Sequence, residues 1–451
     1  MCKSYRYNVK YRVGLNFEAK SYGAKLMLDI KLIREHPEII KKDLEKRCEP
    51  EKLEMLNQLI KIDKQWRKNL VEASELRHKR KLITAEVAKL KKQGKDASKQ
   101  IEEAKNIPQQ IKILESDVAE FREKADQLLM KLPNILHESV PFGKNEHDNV
   151  VERLVGKPPK FDFTPKSHVE LASDLGLIDF ERAAKVAGHG FYYLKGDLAR
   201  LDYAVMTYTI DLLRSRGYTL IEPPLMIHRK PYLGVTDLEF FGDQLYKIEN
   251  DDLYLIATSE HPMAASYMDE VILQEELPIK YVGVSPCFRK EVGAHGKYTK
   301  GMFRVHQFNK IEQFIFCHPD DSWKFHEELQ KNSEDLYKAL GLHYRVVNVC
   351  TGDIGIIAAK KYDIEVWMAD GTFREAGSNS NCTDYQARRL NIKYRMKEGQ
   401  SPVGFVHTLN NTALATSRTL IAILEQYQQK DGSVVIPEVL RPLMGNLERL
   451  E

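Results

Sequence analysis

The sequence predicts an α+β protein in which an antiparallel β-sheet flanked by helices follows an N-terminal antiparallel two-helix coiled coil. Two observations lead to this prediction. Apolar residues repeat with heptad spacing over residues 111–132, and two strand-like segments enclose a glycine-rich loop at 292–301. At 451 residues the chain is too long for one ordinary core, so we expect two or three domains.

Composition excludes several classes of protein. A hydrophobic content of 43% with 9% aromatic residues is globular, and a net charge of +3 means that any nucleic-acid surface must come from local clustering. The six cysteines are scattered without a C-x-x-C pair, which argues against a zinc ribbon or a disulfide framework and fits a reducing cytosol. Because no run of about 18 apolar residues occurs, we expect a soluble cytoplasmic protein that does not cross a membrane.

Residues 1–26 form a basic extension with a single acid, Glu18. The segment lacks an apolar stretch and is therefore not a secretory signal. A transit peptide fits poorly, because serine is sparse and amphipathic spacing is weak. We favour an extension that precedes a natural start at Met27, and we expect it to be disordered.

The heptad seam defines the second helix of a coiled-coil arm. Its spacing alternates between three and four residues through Ile111, Leu114, Val118, Phe121, Ala125, Leu128 and Leu132. The first helix repeats this rhythm with polar interruptions at Leu53, Leu56, Ile60, Leu70, Ala73, Leu76, Ile83, Val87 and Leu90. A turn at 92–98 folds the helices back on each other, and a helix of about 40 residues projects about 60 Å. Pro108 should kink or restart the second helix.

The tip of the arm carries charge of one sign. Between Arg77 and Lys99 nine bases face only two acids, a formal balance of +7. Lysine-rich coiled coils commonly present a solvated face, whereas a one-sided cluster suits phosphates. The segment by itself leaves RNA binding and a plain interaction coil both open. The candidate RNA-binding residues are Arg77, Lys79, Arg80, Lys81, Lys89, Lys91, Lys92 and Lys95.

The strand-like segments Tyr281–Phe288 and Met302–Phe308 predict a hairpin beside a binding site. Alternate side chains of a strand share a face, so Arg289 and Glu291 point the same way. A guanidinium, a carboxylate and the ring of Phe308 on one face can hold a nucleotide. The alternative is a surface hairpin with ordinary cross-strand ion pairs.

Four further segments carry candidate chemistry. A helix over 197–216 ends before the strand and prolines of 217–224. Thr258, Ser259 and Glu260 follow the strand-like 253–256; they either orient an ammonium group or cap a helix. After a strand at 363–368, Glu375 and Ser378 supply oxygen ligands that suit Mg²⁺, or form a polar turn.

The last of the four runs from Thr408 to Arg418 into a helix over 419–428. Because helix N-termini favour anions, Arg418 either clamps a phosphate there or lies on a solvated helix start. The small residues Ala413, Ala415 and Ser417 favour the close approach of a planar group.

Together these segments resemble the class II aminoacyl-tRNA synthetases. Phe288-Arg289-x-Glu291, the loop and Arg304 resemble motif 2 of that class, and the segments 217–224 and 408–418 are similar to motifs 1 and 3. The string Gly301-Met-Phe-Arg-Val-His-Gln-Phe-x-Lys-x-Glu312-Gln is similar to the seryl-tRNA synthetases in particular. The likeness begins at Met27-Leu-Asp-Ile-Lys and extends to residue 451.

The resemblance implies a fold, an activity and partners. It implies a tRNA-binding domain with a coiled-coil arm at 27–135, a class II catalytic domain at 136–451 and a homodimer formed through the motif 1 region. The implied activity joins L-serine to ATP, giving seryl-adenylate and pyrophosphate, and transfers serine to the 3′-terminal adenosine of tRNA(Ser), and of tRNA(Sec) in some cases. The type resembled is the archaeal or eukaryotic one without zinc, and the histidines and cysteines show no ligand spacing.

The resemblance also implies residue roles. Catalysis falls to Arg289, Arg304 and Arg418, and a magnesium ion to Glu375 and Ser378. The implied ATP-binding residues are Arg289, Lys290, Glu291, Arg304, Val305, Phe308, Glu375, Ala376, Gly377, Ser378 and Arg418. The implied serine-binding residues are Thr258, Ser259, Glu260, Arg289, Glu312 and Thr412.

Two other classes of function remain as alternatives. An enzyme of the same fold that loads an amino acid onto a carrier protein would lack the long arm. A non-catalytic coiled-coil RNA-binding protein on a synthetase core would have lost Arg289, Glu291 or Arg418, and all three are present.

Overall fold

The structure is a computed structural model that describes residues 29–292 and 301–451, without the side chains of Glu239 and Phe240. The basic extension 1–26 and most of the predicted loop at 292–301 lie outside the described residues. In the described ranges, no helix is both long enough and apolar enough to cross a membrane.

Helices dominate the N-terminal part, and strands alternate with helices after residue 150. The helices are α1 Ile30–Glu35, α2 Pro37–Arg47, α3 Pro50–Lys92, α4 Ser98–Lys105, α5 Ile107–Lys131, α6 His168–Asp174, α7 Phe180–Ala187, α8 Gly196–Arg214, α9 Arg229–Val235, α10 Leu238–Phe241, α11 Glu260–Ala265, α12 Ser322–Ala339, α13 Tyr385–Leu390 and α14 Thr416–Gln426. The strands are β1 Val150–Val155, β2 Ile178–Asp179, β3 Tyr193–Leu194, β4 Thr219–Ile221, β5 Met226–His228, β6 Leu253–Leu255, β7 Val271–Leu273, β8 Ile279–Phe288, β9 Gln307–Cys317, β10 Tyr344–Asn348, β11 Lys360–Trp367, β12 Phe373–Thr383, β13 Lys393–Arg395, β14 Gly404–Phe405, β15 His407–Ala415, β16 Val434–Val435 and β17 Arg449–Leu450.

The predicted coiled-coil arm is confirmed. Helix α3 packs against α5, and a turn at 93–97 separates the two arms of the hairpin. Pro108 lies in the first turn of α5, where a missing backbone N–H costs nothing, so the predicted restart of the second helix is also confirmed. All seven residues of the predicted seam in the second helix are buried or half-buried.

The seam of the first helix differs from the prediction at Leu70. Leu70 is 41% exposed, whereas the neighbouring Asn69 and the upstream Asp63 are each 4% exposed. Asn69 donates from Nδ2 to Oδ2 of Asp117 across the hairpin at 3.4 Å. The prediction chose Leu70 because it is hydrophobic. The residue that lies one four-residue step before Ala73, and therefore on the buried face, is the polar Asn69.

Eight of the described strands form the central sheet, in the order β1-β10-β11-β12-β15-β9-β8-β4. All neighbours run antiparallel except β4 and β8, so the predicted antiparallel sheet is confirmed. Helices α8, α12 and α14 pack on the sheet through one apolar core that includes Val205, Leu329 and Leu420. Because side chains alternate along β15, Leu409 joins this core while Asn410 turns the other way, toward a cavity.

Several predicted boundaries shift. The strand predicted at Met302–Phe308 begins only at Gln307, which pairs with Phe288, so the segment 302–306 precedes the strand. The helix predicted at 197–216 is α8, and the one predicted at 419–428 begins at Thr416. This earlier start places Arg418 within the first turn of α14.

Candidate active site

Two adjoining cavities open on the side of the sheet away from α12. The first, which we call the carboxylate cavity, has a volume of about 370 Å³ and is lined by Thr236, Asp237, Phe241, Thr258, Glu260, His261, Arg289, Lys310, Glu312, Ile354, Gly355, Ile356, Ile357, Ala358, Lys361, Glu375, Ser378, Ser380, Cys382, Asn410 and Thr412. The second, the arginine cavity, has a volume of about 50 Å³ and is lined by Arg289, Glu291, Phe303, Val305, Phe308, Lys310, Glu375, Ala376, Gly377, Thr412, Ala415, Ser417 and Arg418. Four residues line both cavities: Arg289, Lys310, Glu375 and Thr412.

Glu260 begins α11 and is oriented by two amides. Its Oε1 accepts hydrogen bonds from Nε2 of Gln386 at 2.9 Å and from Nδ2 of Asn410 at 3.1 Å. Burial raises the pKa of Glu260 to about 7, and the nearby charge of Glu312 adds to the shift. The second carboxylate oxygen is left for a ligand in the cavity, and a cationic ligand would restore ionisation.

Glu312 lies on β9 beside its own counter-ion. Its Oε2 is 2.6 Å from Nζ of Lys310 and accepts a hydrogen bond from Oγ1 of Thr412 at 3.2 Å. Burial raises the pKa of Glu312, although Lys310 opposes the shift. Glu312 and Thr412 face each other across the β9–β15 ladder, so the register of two strands sets their contact. The cavity thus holds two buried carboxylates with different partners.

Two arginines and two aromatic rings shape the arginine cavity. The guanidinium of Arg289 lies 5.4 Å from the ring centre of Phe308, and its Nε donates to the Ala257 carbonyl at 3.3 Å. The guanidinium of Arg418 lies 4.8 Å from the ring centre of Phe303. Fixed guanidinium groups beside half-buried aromatic rings that line a cavity suit phosphate and base together.

Strand β12 brings an oxygen-rich group to the boundary of the cavities. Oγ of Ser378 donates to Oε1 of Glu375 at 3.2 Å, and Nη1 of Arg418 donates to the Glu375 carbonyl at 2.8 Å. Burial opposes ionisation of Glu375, but Arg418 and Lys361 outweigh it and lower its pKa to about 2. Burial raises the pKa of Asp363, which pairs with Ser378 in the ladder, to about 7. An ionised carboxylate with a hydroxyl 3.2 Å away fits the oxygen ligands that Mg²⁺ prefers.

Most predicted site residues therefore meet in one place, but three do not line either cavity. Ser259 is fully buried, and its hydroxyl donates to the Gly283 carbonyl at 3.4 Å. Lys290 places its Nζ 5.8 Å from the ring centre of Tyr246. Arg304 is paired through Nη1 with Oε2 of Glu291 at 3.4 Å and is about half exposed. Glu291 itself has a left-handed backbone with φ 49°, which is uncommon outside glycine and typical of functional sites.

The structure adds residues that sequence reasoning missed. Lys310, Gln386, Asn410 and Lys361 come from four different elements and contact or neighbour the predicted carboxylates. Only Lys310 carried a sequence signal, because it lies two residues before Glu312 on the same strand face. The loop 354–358, which lines the carboxylate cavity, gave none.

The eight basic residues predicted on the arm are all exposed. Two of them are ion-paired across the hairpin: Arg77 with Glu115 at 2.6 Å, and Lys79 with Glu103 at 2.8 Å. The rest of the set projects from α3 and the following turn, and exposed charges of this kind can contact a phosphate backbone without readout of sequence.

The motif 1 region lies at an edge of the central sheet. Strand β4 is the last strand, and apolar side chains are exposed on it and around it: Tyr203 at 68%, Leu220 at 42%, Leu225 at 40% and Met226 at 44%. An exposed apolar patch at a strand edge is typical of a subunit interface.

Within 29–292 and 301–451, no cluster of three or more histidine, cysteine, aspartate or glutamate residues has the geometry of a metal site.

Comparisons with known proteins agree with this geometry. The family model of the class II tRNA synthetase core domain (G, H, P, S and T) matches residues 245–427, and that of the seryl-tRNA synthetase N-terminal domain matches residues 27–136. A serine–tRNA ligase of Methanocella arvoryzae is 54% identical over 94% of this chain and 100% of its own length.

Solved structures are similar over the same range. Seryl-tRNA synthetase of Pyrococcus horikoshii, complexed with ATP, has a TM-score of 0.91 and 47% identity, covering 94% of this chain and 99% of its own. The cytoplasmic serine–tRNA ligase of Naegleria fowleri, in complex with AMP, has a TM-score of 0.87 and 37% identity, with the same coverage of both chains.

Proposed function

Since the chain belongs to the serine–tRNA ligase family, we propose that its two cavities divide the work of one ligase reaction, with serine in the carboxylate cavity and ATP in the arginine cavity. The serine carboxylate attacks the α-phosphorus of ATP, the bond to the leaving oxygen breaks, and seryl-adenylate and pyrophosphate form. The terminal ribose hydroxyl of the tRNA then attacks the seryl carbonyl carbon and releases AMP.

One observation carries the proposed division: Arg289 and Thr412 line both cavities. The reacting carboxylate and the α-phosphate must meet where the cavities join, and Arg289 can neutralise both groups there. Phosphoryl chemistry of this kind depends on positioning and charge neutralisation rather than on a protein nucleophile. Phe308 and Glu291 would hold the adenine, and Arg418 the phosphate tail, with Arg304 reaching the tail from outside the cavity wall.

Glu260 and Glu312 supply the recognition of serine. An ionised Glu260 accepts hydrogen bonds from the serine ammonium, while Thr258 lies beside it at the cavity wall. Thr412 and Glu312 are hydrogen-bonded to each other and available to the serine hydroxyl. Alanine lacks the hydroxyl that these buried groups would bind, and a site built to hydrogen-bond a substrate hydroxyl discriminates strongly against an analogue without it.

A magnesium ion belongs to the same proposal. Glu375 and Ser378 would hold it against the phosphate oxygens, since an ionised carboxylate and a hydroxyl lie 3.2 Å apart at the cavity boundary. When bound, the ion neutralises phosphate charge. No further site for a metal is proposed.

The arm is proposed to bind tRNA. The family model of the N-terminal domain ends at residue 136, which supports a division between a tRNA-binding domain at 27–135 and a catalytic domain at 136–451. A match that spans arm and core favours a tRNA ligase over an enzyme that loads carrier proteins. We further propose a homodimer through the exposed edge around β4 and a cytoplasmic location, where tRNA and ATP are present.

The test is serine-dependent exchange of pyrophosphate into ATP, measured beside alanine, threonine and glycine. We expect strong exchange with serine alone, because alanine and glycine have no hydroxyl group for Glu312 and Thr412, and threonine adds a methyl group beside its hydroxyl. A folded protein that exchanges with none of the four amino acids would refute the proposal and favour a non-catalytic RNA-binding role. Equal exchange with alanine would refute the assignment of Glu312 and Thr412.

A further inference from the structure

One buried histidine outside both cavities is linked to the wall of the arginine cavity. His168 begins α6, far in sequence from the ATP-binding segments, and its side chain is 6% exposed. Its Nε2 accepts a hydrogen bond from the backbone N–H of Met302 at 3.3 Å. Met302 directly precedes Phe303, whose ring lies against Arg418 in the arginine cavity.

The hydrogen-bond partners of His168 identify which ring nitrogen donates and which accepts. Because Nε2 accepts from a backbone N–H, the ring proton lies on Nδ1, which is 2.8 Å from Oε1 of Glu425 on α14. The same Oε1 accepts the backbone N–H of His168 at 3.0 Å, and Oε2 accepts the backbone N–H of Ala369 at 2.9 Å. Glu425 therefore fixes the orientation of the ring, as a carboxylate does for a histidine that must present one particular nitrogen.

The chain around Met302 has no regular structure of its own to hold it. Residues 302–306 precede β9, and of their backbone groups only the His306 carbonyl is bonded across the hairpin in the described residues, where it accepts the N–H of Arg289 at 3.0 Å. Gly301 has φ 86°, and a Cβ there would lie 2.3 Å from Nε2 of His168, so the backbone passes directly against the ring. The far end of the segment is held by His306, whose N–H donates to the Gly190 carbonyl at 2.9 Å. Met302 itself is fully buried.

We propose that His168 is a positioning residue for ATP: its Nε2 holds the backbone at Met302 and thereby keeps Phe303 against Arg418 in the wall of the nucleotide site. The inference rests on the proposed assignment of ATP to the arginine cavity. His168 lies outside the three segments that resemble motifs 1, 2 and 3, so the inference assigns a function to a further part of the chain. His168 does not contact the carboxylate cavity, so its effect is confined to ATP.

The histidine offers a matched pair of variants. In His168→Asn the side-chain amide nitrogen replaces Nδ1 and still donates to Glu425, but no acceptor remains for Met302. In His168→Gln the side-chain oxygen replaces Nε2 and still accepts from Met302, but the bond to Glu425 is lost. The two variants remove one hydrogen bond each, and only one of them removes the bond that reaches the nucleotide site.

We expect His168→Asn to weaken ATP binding about tenfold, the effect of one buried hydrogen bond with its unpaired donor, and to raise KM for ATP in parallel. KM for serine should stay at the wild-type value, and His168→Gln should bind ATP nearly as well as the wild type. ATP affinity is measured by calorimetry without serine, on full-length protein whose thermal unfolding has been checked. Equal losses in both variants, or equal rises in KM for serine and ATP, would indicate a general structural role and overturn the inference.

A second measurement does not depend on the folding of either variant. In the wild-type protein, hydrogen exchange of the amides of Met302 and Phe303 should slow when ATP is added and stay unchanged when serine alone is added. Protection that is the same with and without ATP would overturn the inference. Because binding is measured directly, a protein that binds ATP but fails in pyrophosphate exchange would refute the proposed function and leave the role of His168 standing.

Discussion

The basic residues of the arm and those of the cavities differ in what surrounds them. On the arm, residues such as Lys89 and Lys91 project into solvent from α3. In the cavities, Lys310 is 2.6 Å from a buried carboxylate and Arg289 lies over an aromatic ring. The first kind of charge is screened and interchangeable, whereas the second is held in one position by its partners.

Two acids within the carboxylate cavity also differ from each other in their surroundings. Burial raises the pKa of Glu260 to about 7, whereas at Glu375 the effect of burial is outweighed by Arg418 and Lys361, which lower the pKa to about 2, although both residues line one cavity. Opposite shifts suit opposite tasks: a carboxyl that ionises when a cationic ligand arrives, and one that is always ready for a cation beside phosphates. The comparison predicts large, position-specific effects in the cavities and small, additive, salt-dependent effects on the arm.

The largest effect is expected for Arg289→Ala. Arg289 lines both cavities, so its loss removes the charge where the carboxylate and the α-phosphate meet. Serine-dependent pyrophosphate exchange should fall by about 10³-fold, as for the loss of a group that stabilises charge in the transition state. Binding of tRNA, measured by filter retention, should remain nearly intact because the arm is unchanged. Normal exchange by this variant would remove Arg289 from the reaction.

An intermediate effect is expected for Glu260→Gln, through serine binding. With a pKa of about 7 in the empty cavity, Glu260 ionises as pH rises from 6 to 8, so KM for serine should fall over that range in the wild type. In the variant KM should be raised about 30-fold or more and lose this pH dependence, because a neutral amide replaces the carboxylate that accepts from the ammonium.

A matched control is Glu365→Gln. Glu365 lies on β11 outside both cavities, paired with Arg345. This change should leave KM for serine and its pH dependence as in the wild type. The ligand-free protein gives a second check: the raised pKa of Glu260 contributes stability that is lost as pH rises from the ordinary carboxyl value of about 4.5 to about 7, so only Glu260→Gln should flatten the decline in unfolding temperature between pH 5 and 7. A steep decline in both variants would contradict the assigned pKa.

The arm was predictable because its information is local. Steps of three and four residues fix which face of α5 is buried, and a short polar turn fixes the reversal. The one error, at Leu70, arose because the pattern was taken from hydrophobicity, while the structure places Asn69 in the seam with Asp117 as its partner.

For the cavities, the sequence predicted individual residues but not the contacts between them. Thr412 and Glu312 meet because two strands 100 residues apart pair in one register, and Glu260 is reached by Asn410 of the same strand as Thr412 and by Gln386 of α13. The spacing of residues along the sequence does not show which residues of the two strands are paired. The segment 302–306 has the aromatic and β-branched composition of a strand, but buried irregular chain selects the same residues.

The smallest effect is expected on the arm, and there the test is the salt dependence of tRNA binding. Changing Lys89, Lys91 and Lys92 to Gln should weaken tRNA binding about tenfold at low salt. It should also reduce the slope of log affinity against log salt by about 2, because binding with fewer phosphate contacts releases fewer counterions. Pyrophosphate exchange should not change. The matched control is the triple change of Lys61, Lys64 and Lys68, which are equally exposed on the same helix but closer to the catalytic domain. If binding depended only on net charge, both triple variants would lose affinity and slope alike, and the arm tip would have no special part in holding tRNA; a loss confined to the first variant places the phosphate contacts at the tip.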